Sequence, residues 1–110
     1  MSHPGQSKKE VRTGSHVRAV LDRGVVTIAV EGRFDFGCHP DFRHAYEGFE
    51  SVSEYVVDLA ATEYLDSSAL GMLLVLRESA GAGHVRIVNC GQAVRRILEI
   101  ANFNQLFALE

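Results

Sequence analysis

Four short runs of β-branched and apolar residues alternate with three stretches of helical periodicity, and this alternation limits what the chain can fold into. His16-Val-Arg-Ala-Val-Leu-Asp22 and Val25-Val-Thr-Ile-Ala-Val-Glu31 read as two strands. Arg23-Gly24 between them suits the tight turn of an antiparallel hairpin. Tyr55-Val-Val-Asp-Leu59 is short and mostly apolar, as a buried central strand would be, and His84-Val-Arg-Ile-Val-Asn89 is a fourth strand.

The helical stretches lie between and after these runs. From His39 to about Phe49, the residues Phe42, Ala45, Tyr46 and Phe49 recur at helical spacing and make one apolar stripe. Pro40 suits the first turn and Asp41 favours the same end through the helix dipole. Asp66-Ser67-Ser68 carries preferred capping types ahead of the apolar run Ala69 to Ala80, and Gly81-Ala82-Gly83 closes that helix. A third helix runs from Gln92 to about Ala101 with Val94, Ile97, Leu98 and Ala101 on one side, and Gln105 to Leu109 supplies an edge strand.

Strands that alternate with helices pair in parallel through right-handed crossovers. The expected fold class is therefore α/β, with a mixed β-sheet whose N-terminal hairpin is antiparallel and whose remaining strands are parallel. The helices should lie mainly on one face, because 110 residues barely suffice to cover two. Residues 1–14 are polar, hold Pro4, Gly5 and Gly14, and show no periodicity, so they are expected to form a flexible segment ahead of one domain at 15–110.

Composition narrows the function classes. One core is what 110 residues can build, and a chain of this size needs no metal or staple to fold. The net charge of −3 argues against a nucleic-acid binder, which shows a clustered basic face, and against attachment to anionic lipid. It is compatible with a monomer or a weak dimer. Cys38 and Cys90 form no CxxC spacing and are expected to be free thiols in a reducing compartment. The first ten residues lack an apolar segment, and Ala69 to Leu76 is far shorter than the roughly 20 residues of a bilayer crossing. A soluble, cytoplasmic protein without metal or cofactor is the expectation.

In open α/β sheets, functional groups collect at the carboxyl ends of parallel strands. Two segments share that edge in this layout: Gly32 to His39, with Asp35, and Ala60 to Ser68, with Glu63, Asp66, Ser67 and Ser68. A serine at a helix start commonly does no more than cap. Here Asp66 already offers a cap, and the apolar helix behind it makes a rigid platform. A phosphate on Ser67 would bring about −1.5 to −2 units of charge to a helix N-terminus that accepts it. Asp66, Glu63 and Asp35 beside it would set a repulsive surface against any docked partner.

Asp66-Ser67-Ser68-Ala69-Leu70-Gly71, preceded by Val56-Val57-Asp58-Leu59, resembles the Asp-Ser-Ser/Thr-Gly-Leu-Gly signature of bacterial STAS-domain proteins, the anti-sigma factor antagonists. Gly32-Arg-Phe-Asp35 is similar to that family's Gly-x-x-Asp, and Gln92 to Leu98 resembles the opening of its third helix. The resemblance spans about Val17 to Leu109. It implies a regulator, not an enzyme, that switches partners. Ser67 would be phosphorylated by a serine kinase/anti-sigma factor with a GHKL-type ATP site, with Ser68 as a secondary acceptor. A metal-dependent serine phosphatase would reverse the modification. The unphosphorylated form would bind the kinase and relieve its inhibition, through a surface of Asp35, Phe36, Glu63, Asp66, Ser67, Ser68 and Ala69. The sequence departs from the family where Ala69 replaces Gly and where Ala101-Asn102-Phe103 replaces Ser-Gly-Leu.

Other readings find less support. A nucleophilic Ser67 needs a base, and none of His3, His16, His39, His44 and His84 has an evident reason to reach it; a Gly-x-Ser-x-Gly elbow is lacking. Cys38, His39, Asp41 and His44 are metal-capable, but His39 and His44 are five apart with Pro40 between them. Phe34 and Phe36 alternate, so at least one belongs to the core, and Arg95-Arg96 reads as a solvated helix face. The main competitor is a STAS module that does not switch: a subunit of a transport complex, or a lipid- or nucleotide-binding domain.

Overall fold

The computed structural model describes residues 9–81 and 83–110. Among the described residues eight strands and three α-helices follow one another as β1 (Lys9–Arg12), β2 (Val17–Asp22), β3 (Val25–Val30), β4 (Gly32–Phe34), α1 (His39–Glu47), β5 (Glu54–Asp58), β6 (Thr62–Leu65), α2 (Ser67–Ala80), β7 (Val85–Val88), α3 (Gln92–Ile100) and β8 (Ala108–Leu109). Six strands form one sheet in the order β1-β2-β3-β5-β7-β8. The β1–β2 and β2–β3 pairs are antiparallel, and the three further pairs are parallel. This is the expected mixed α/β sheet.

The hairpin forms where the sequence places it. Arg23 and Gly24 take φ of 54° and 83°, the two positive values that match a two-residue turn to the twist of its strands. The turn fixes the register Asp22↔Val25 through Val17↔Val30. Because side chains alternate along a strand, that register sends Val17 and Ala19 to the same face as Val26, Ile28 and Val30. The row Ala19, Ile28, Val57, Ile87 then crosses four strands, and all four side chains are fully buried.

The helices bury their stripes in the same core: Phe42, Ala45 and Tyr46 from α1, Ala69, Met72, Leu73 and Leu76 from α2, and Val94 and Leu98 from α3. The opposite face of the sheet is more polar. There Arg86, paired in register with Val56, donates to Glu54 at 2.8 Å and to Glu110 at 2.7 Å and ties β7 to β5 and to the C-terminal residue.

Three features differ from the sequence expectation. Lys9–Arg12, expected within the flexible lead-in, pair with β2 from Lys9↔Leu21 to Arg12↔Arg18. Their polar composition gives no alternation to read, and the pairing is made by the backbone; the rest of the lead-in before Lys9 lies outside the described residues. Gly32–Phe34 and Thr62–Leu65, expected as loop, form a second, two-stranded parallel ladder. The first helix ends at Glu47 and the terminal edge strand is confined to Ala108–Leu109.

Candidate functional site

The small ladder builds the site. Gly32 opens β4 with φ of 79°, a value glycine adopts without strain, and its amide donates to the Ala61 carbonyl at 2.8 Å. On β6 the Thr62 hydroxyl is buried and donates to the Val30 carbonyl at 2.6 Å. These bonds tie β4 and β6 to the end of β3. The pairing Phe34↔Leu65 buries both side chains, and the Asp66 amide donates to the Phe34 carbonyl at 3.3 Å. Asp35 and Asp66 therefore leave the ladder side by side.

Each aspartate caps a helical turn. Asp35 accepts from the Gly37 amide at 3.0 Å and starts a 3-10 turn over Phe36–Cys38. Asp66 accepts from the Ala69 amide at 3.0 Å and starts α2. Ser67 is then the first residue inside the helix and not its cap. Its side chain is exposed, and among the described residues its hydroxyl has no hydrogen-bond partner. The capping role that would have explained this serine away belongs to its neighbour.

The remaining site residues fall into two groups. Glu63 and Phe36 are exposed, Phe36 at 72%, and Asp35, Asp66 and Ser68 are half-buried. Ala69 is fully buried, so it serves the core and the cap and offers no side chain to a partner. The hexapeptide alone had suggested a surface position for it; the helix periodicity turns it inward.

Two residues that sequence reasoning missed stand beside this group. The Arg33 guanidinium lies 4.7 Å from the centre of the exposed Tyr64 ring and 3.5 Å from the Asp35 carboxylate. The parallel pairing Arg33↔Tyr64 brings them together, and strands of three and four residues are too short for a pattern to announce that pairing.

Among the described residues no hydrogen bond joins Ser67 to a histidine. His39 stacks on Phe36 with ring centres 6.1 Å apart. The Cys38 thiol points inward and donates to the Arg33 carbonyl at 3.3 Å, and burial pushes its pKa up, which keeps it protonated. Among the described residues no group of three or more His, Cys, Asp and Glu side chains is placed to hold a metal ion. Both cysteines are free thiols. No helix among the described residues is long and apolar enough to cross a membrane.

Comparison with known proteins agrees with this architecture. A STAS-domain containing protein of Pseudomonas aeruginosa strain UCBPP-PA14 is 55% identical over 87 residues, which cover 76% of this chain and 86% of that protein. An anti-sigma factor antagonist from Mycobacterium paratuberculosis superposes with a TM-score of 0.74 at 26% identity, over 99% of this chain and 89% of that one. The anti-sigma factor antagonist SpoIIAA in its unphosphorylated form shares the fold with a TM-score of 0.73 at 18% identity, over 86% of this chain and 87% of its own. A sulfate transporter family protein from Wolinella succinogenes shares it at 0.66 and 14%, over 77% and 72%. The family model of the STAS domain matches residues 16–110, and the chain belongs to the STAS-domain family.

Proposed function

We propose that this protein is a partner-switching regulator of the anti-sigma factor antagonist kind, controlled by phosphorylation of Ser67. The observation that carries the reading is the Ser67 hydroxyl: it is exposed at the first turn of α2, without a hydrogen-bond partner among the described residues, while Asp66 holds the cap. The switching domain is taken as residues 15–110, with β1 added to its edge by the preceding segment.

The physics of the switch follows from the site. Phosphorylation adds about −1.5 to −2 charges and three acceptor oxygens. The amides of the first turn of α2 accommodate that charge, so the fold is unharmed. Asp35, Glu63 and Asp66 already make the edge acidic, and the added charge makes desolvating this edge against a partner unfavourable. Unphosphorylated protein binds a serine kinase/anti-sigma factor with a GHKL-type ATP site and relieves its inhibition; phosphorylated protein lets it go. A metal-dependent serine phosphatase resets the switch. In this reading the protein acts in the cytoplasm as a monomer or weak dimer, and it is acted upon rather than catalytic, since the ATP and its metal belong to the kinase.

Phosphate-affinity electrophoresis of protein purified from its native cell tests the reading. A retarded band in wild type that is absent in Ser67→Ala supports it. No retarded band under any growth condition, with full function in Ser67→Ala, overturns it. Stable copurification with an ABC-type ATPase would favour a subunit of a transport complex instead.

A further inference from the structure

A groove of about 290 Å³ opens between α1 and α2 beside the Ser67 edge, with Ser68 in its lining. We propose that this groove receives an aromatic side chain of the switching partner, on a segment that carries an adjacent carboxylate. The proposal rests on the partner-switching reading and names the chemistry by which that partner is recognised.

Gly71 is the first reason. It lies within α2, in the groove lining, where glycine is disfavoured. A Cβ built there would meet no atom within 4 Å, so packing does not demand glycine. What its missing side chain does is keep the space between the helices open.

The walls suit an apolar occupant. Phe36 at 72% exposure, stacked on His39, forms one side, and Val75 at 52% forms another. Such exposed apolar groups are what an aromatic anchor covers in the centre of an interface. At about 290 Å³ the groove has room for one aromatic side chain.

Charge sets what flanks that side chain. The basic groups of the lining are His39 and Arg43, and no carboxylate lines the groove, in contrast to the acidic edge next to it. Arg43 donates to Glu47 through Nε at 2.9 Å. Arg86 shows how such a guanidinium serves two carboxylates, Glu54 through Nε and Glu110 through Nη1. A partner carboxylate at the Arg43 rim completes the same arrangement. Ser68, the neighbour of Ser67, lines the same groove, so a phosphate on Ser67 adds negative charge at the groove's Ser68 end and disfavours a carboxylate there, which gives the release step a defined target.

The test is an amide-resolved NMR titration with three blocked dipeptides: tryptophyl-aspartate, tryptophyl-lysine and alanyl-aspartate. Tryptophyl-aspartate should shift the amides of Ser68, Gly71 and Val75, tryptophyl-lysine should bind several-fold more weakly, and alanyl-aspartate should not bind. Gly71→Leu, which fills the groove, should abolish the shifts, while Gly71→Ala should reduce them and serves as the folded control. Ser67→Asp should weaken tryptophyl-aspartate several-fold and leave tryptophyl-lysine unchanged. Shifts centred outside the groove, or undiminished in Gly71→Leu, overturn the proposal. A protein found phosphorylated on Ser67 in its cell, whose unphosphorylated groove ignores all three peptides, sinks this inference and leaves the switch standing; groove binding in a protein never phosphorylated supports the groove and removes the switch.

Discussion

The Asp66 carboxylate takes the Ala69 amide at 3.0 Å, and Ser67, the residue between the cap and the helix body, is left with an exposed hydroxyl that has no hydrogen-bond partner among the described residues. This division of labour separates stability from signalling at adjacent positions. Asp66→Ala should destabilise the protein by about 1 kcal/mol, the usual loss for a helix cap. Ser67→Ala should stay within about 0.5 kcal/mol of wild type, as surface changes do. Urea unfolding of the two variants checks this, and a larger loss in Ser67→Ala would mean that Ser67 caps after all.

Thr62 holds the ladder to the main sheet. Thr62→Val keeps the shape but removes the donor to the Val30 carbonyl, leaving a buried acceptor unsatisfied. The expected loss is about 1–3 kcal/mol. Hydrogen exchange should show faster opening at Gly32–Phe34 and Thr62–Leu65 than in β3 and β5. Uniform acceleration across the sheet would contradict a local role.

How much of this was readable beforehand depends on the range of the signal. The hairpin was, because Arg23-Gly24 and the alternation on either side are local, and so were the three apolar stripes. The ladder was not, because three residues of β4 and four of β6 carry no period and are held by Thr62 and Gly32 reaching distant carbonyls. Lys9–Arg12 pair through backbone groups that any sequence has. At the site, Asp35, Asp66 and Ser67 were readable as neighbours on one sheet edge, and Asp66 and Ser67 as cap types; the cap made by Asp35 was not. Arg33 over Tyr64 needed the ladder, and the groove needed the packing of α1 on α2, though Gly71 inside an apolar helix was a visible anomaly.

Gly71 also gives a stability prediction. Gly71→Ala removes the entropy penalty of glycine in a helix without creating a clash, and should stabilise by about 0.5–1 kcal/mol. Thermal melting measures it. Destabilisation would show that the position is constrained by something other than an open groove.

Burial raises the pKa of both Cys38 and Cys90. In the folded state each thiol holds its proton to higher pH than in the unfolded chain, so the folded state binds more protons once the unfolded thiols ionise. Stability from this source is full below the ordinary thiol range and falls as pH rises through it. Replacing both by Ala should flatten that alkaline decline, and thiol labelling of Cys38 should proceed only as the protein unfolds. Rapid labelling of native Cys38 would contradict its inward orientation.

The charge on Ser67 is the centre of the account, and one paired measurement addresses it: capture of the GHKL-type serine kinase from native extract by Ser67→Ala and Ser67→Asp proteins side by side. The account predicts that the Ala form retains the kinase and the Asp form loses it, with both variants equally folded. Equal retention by the two forms would contradict release by charge.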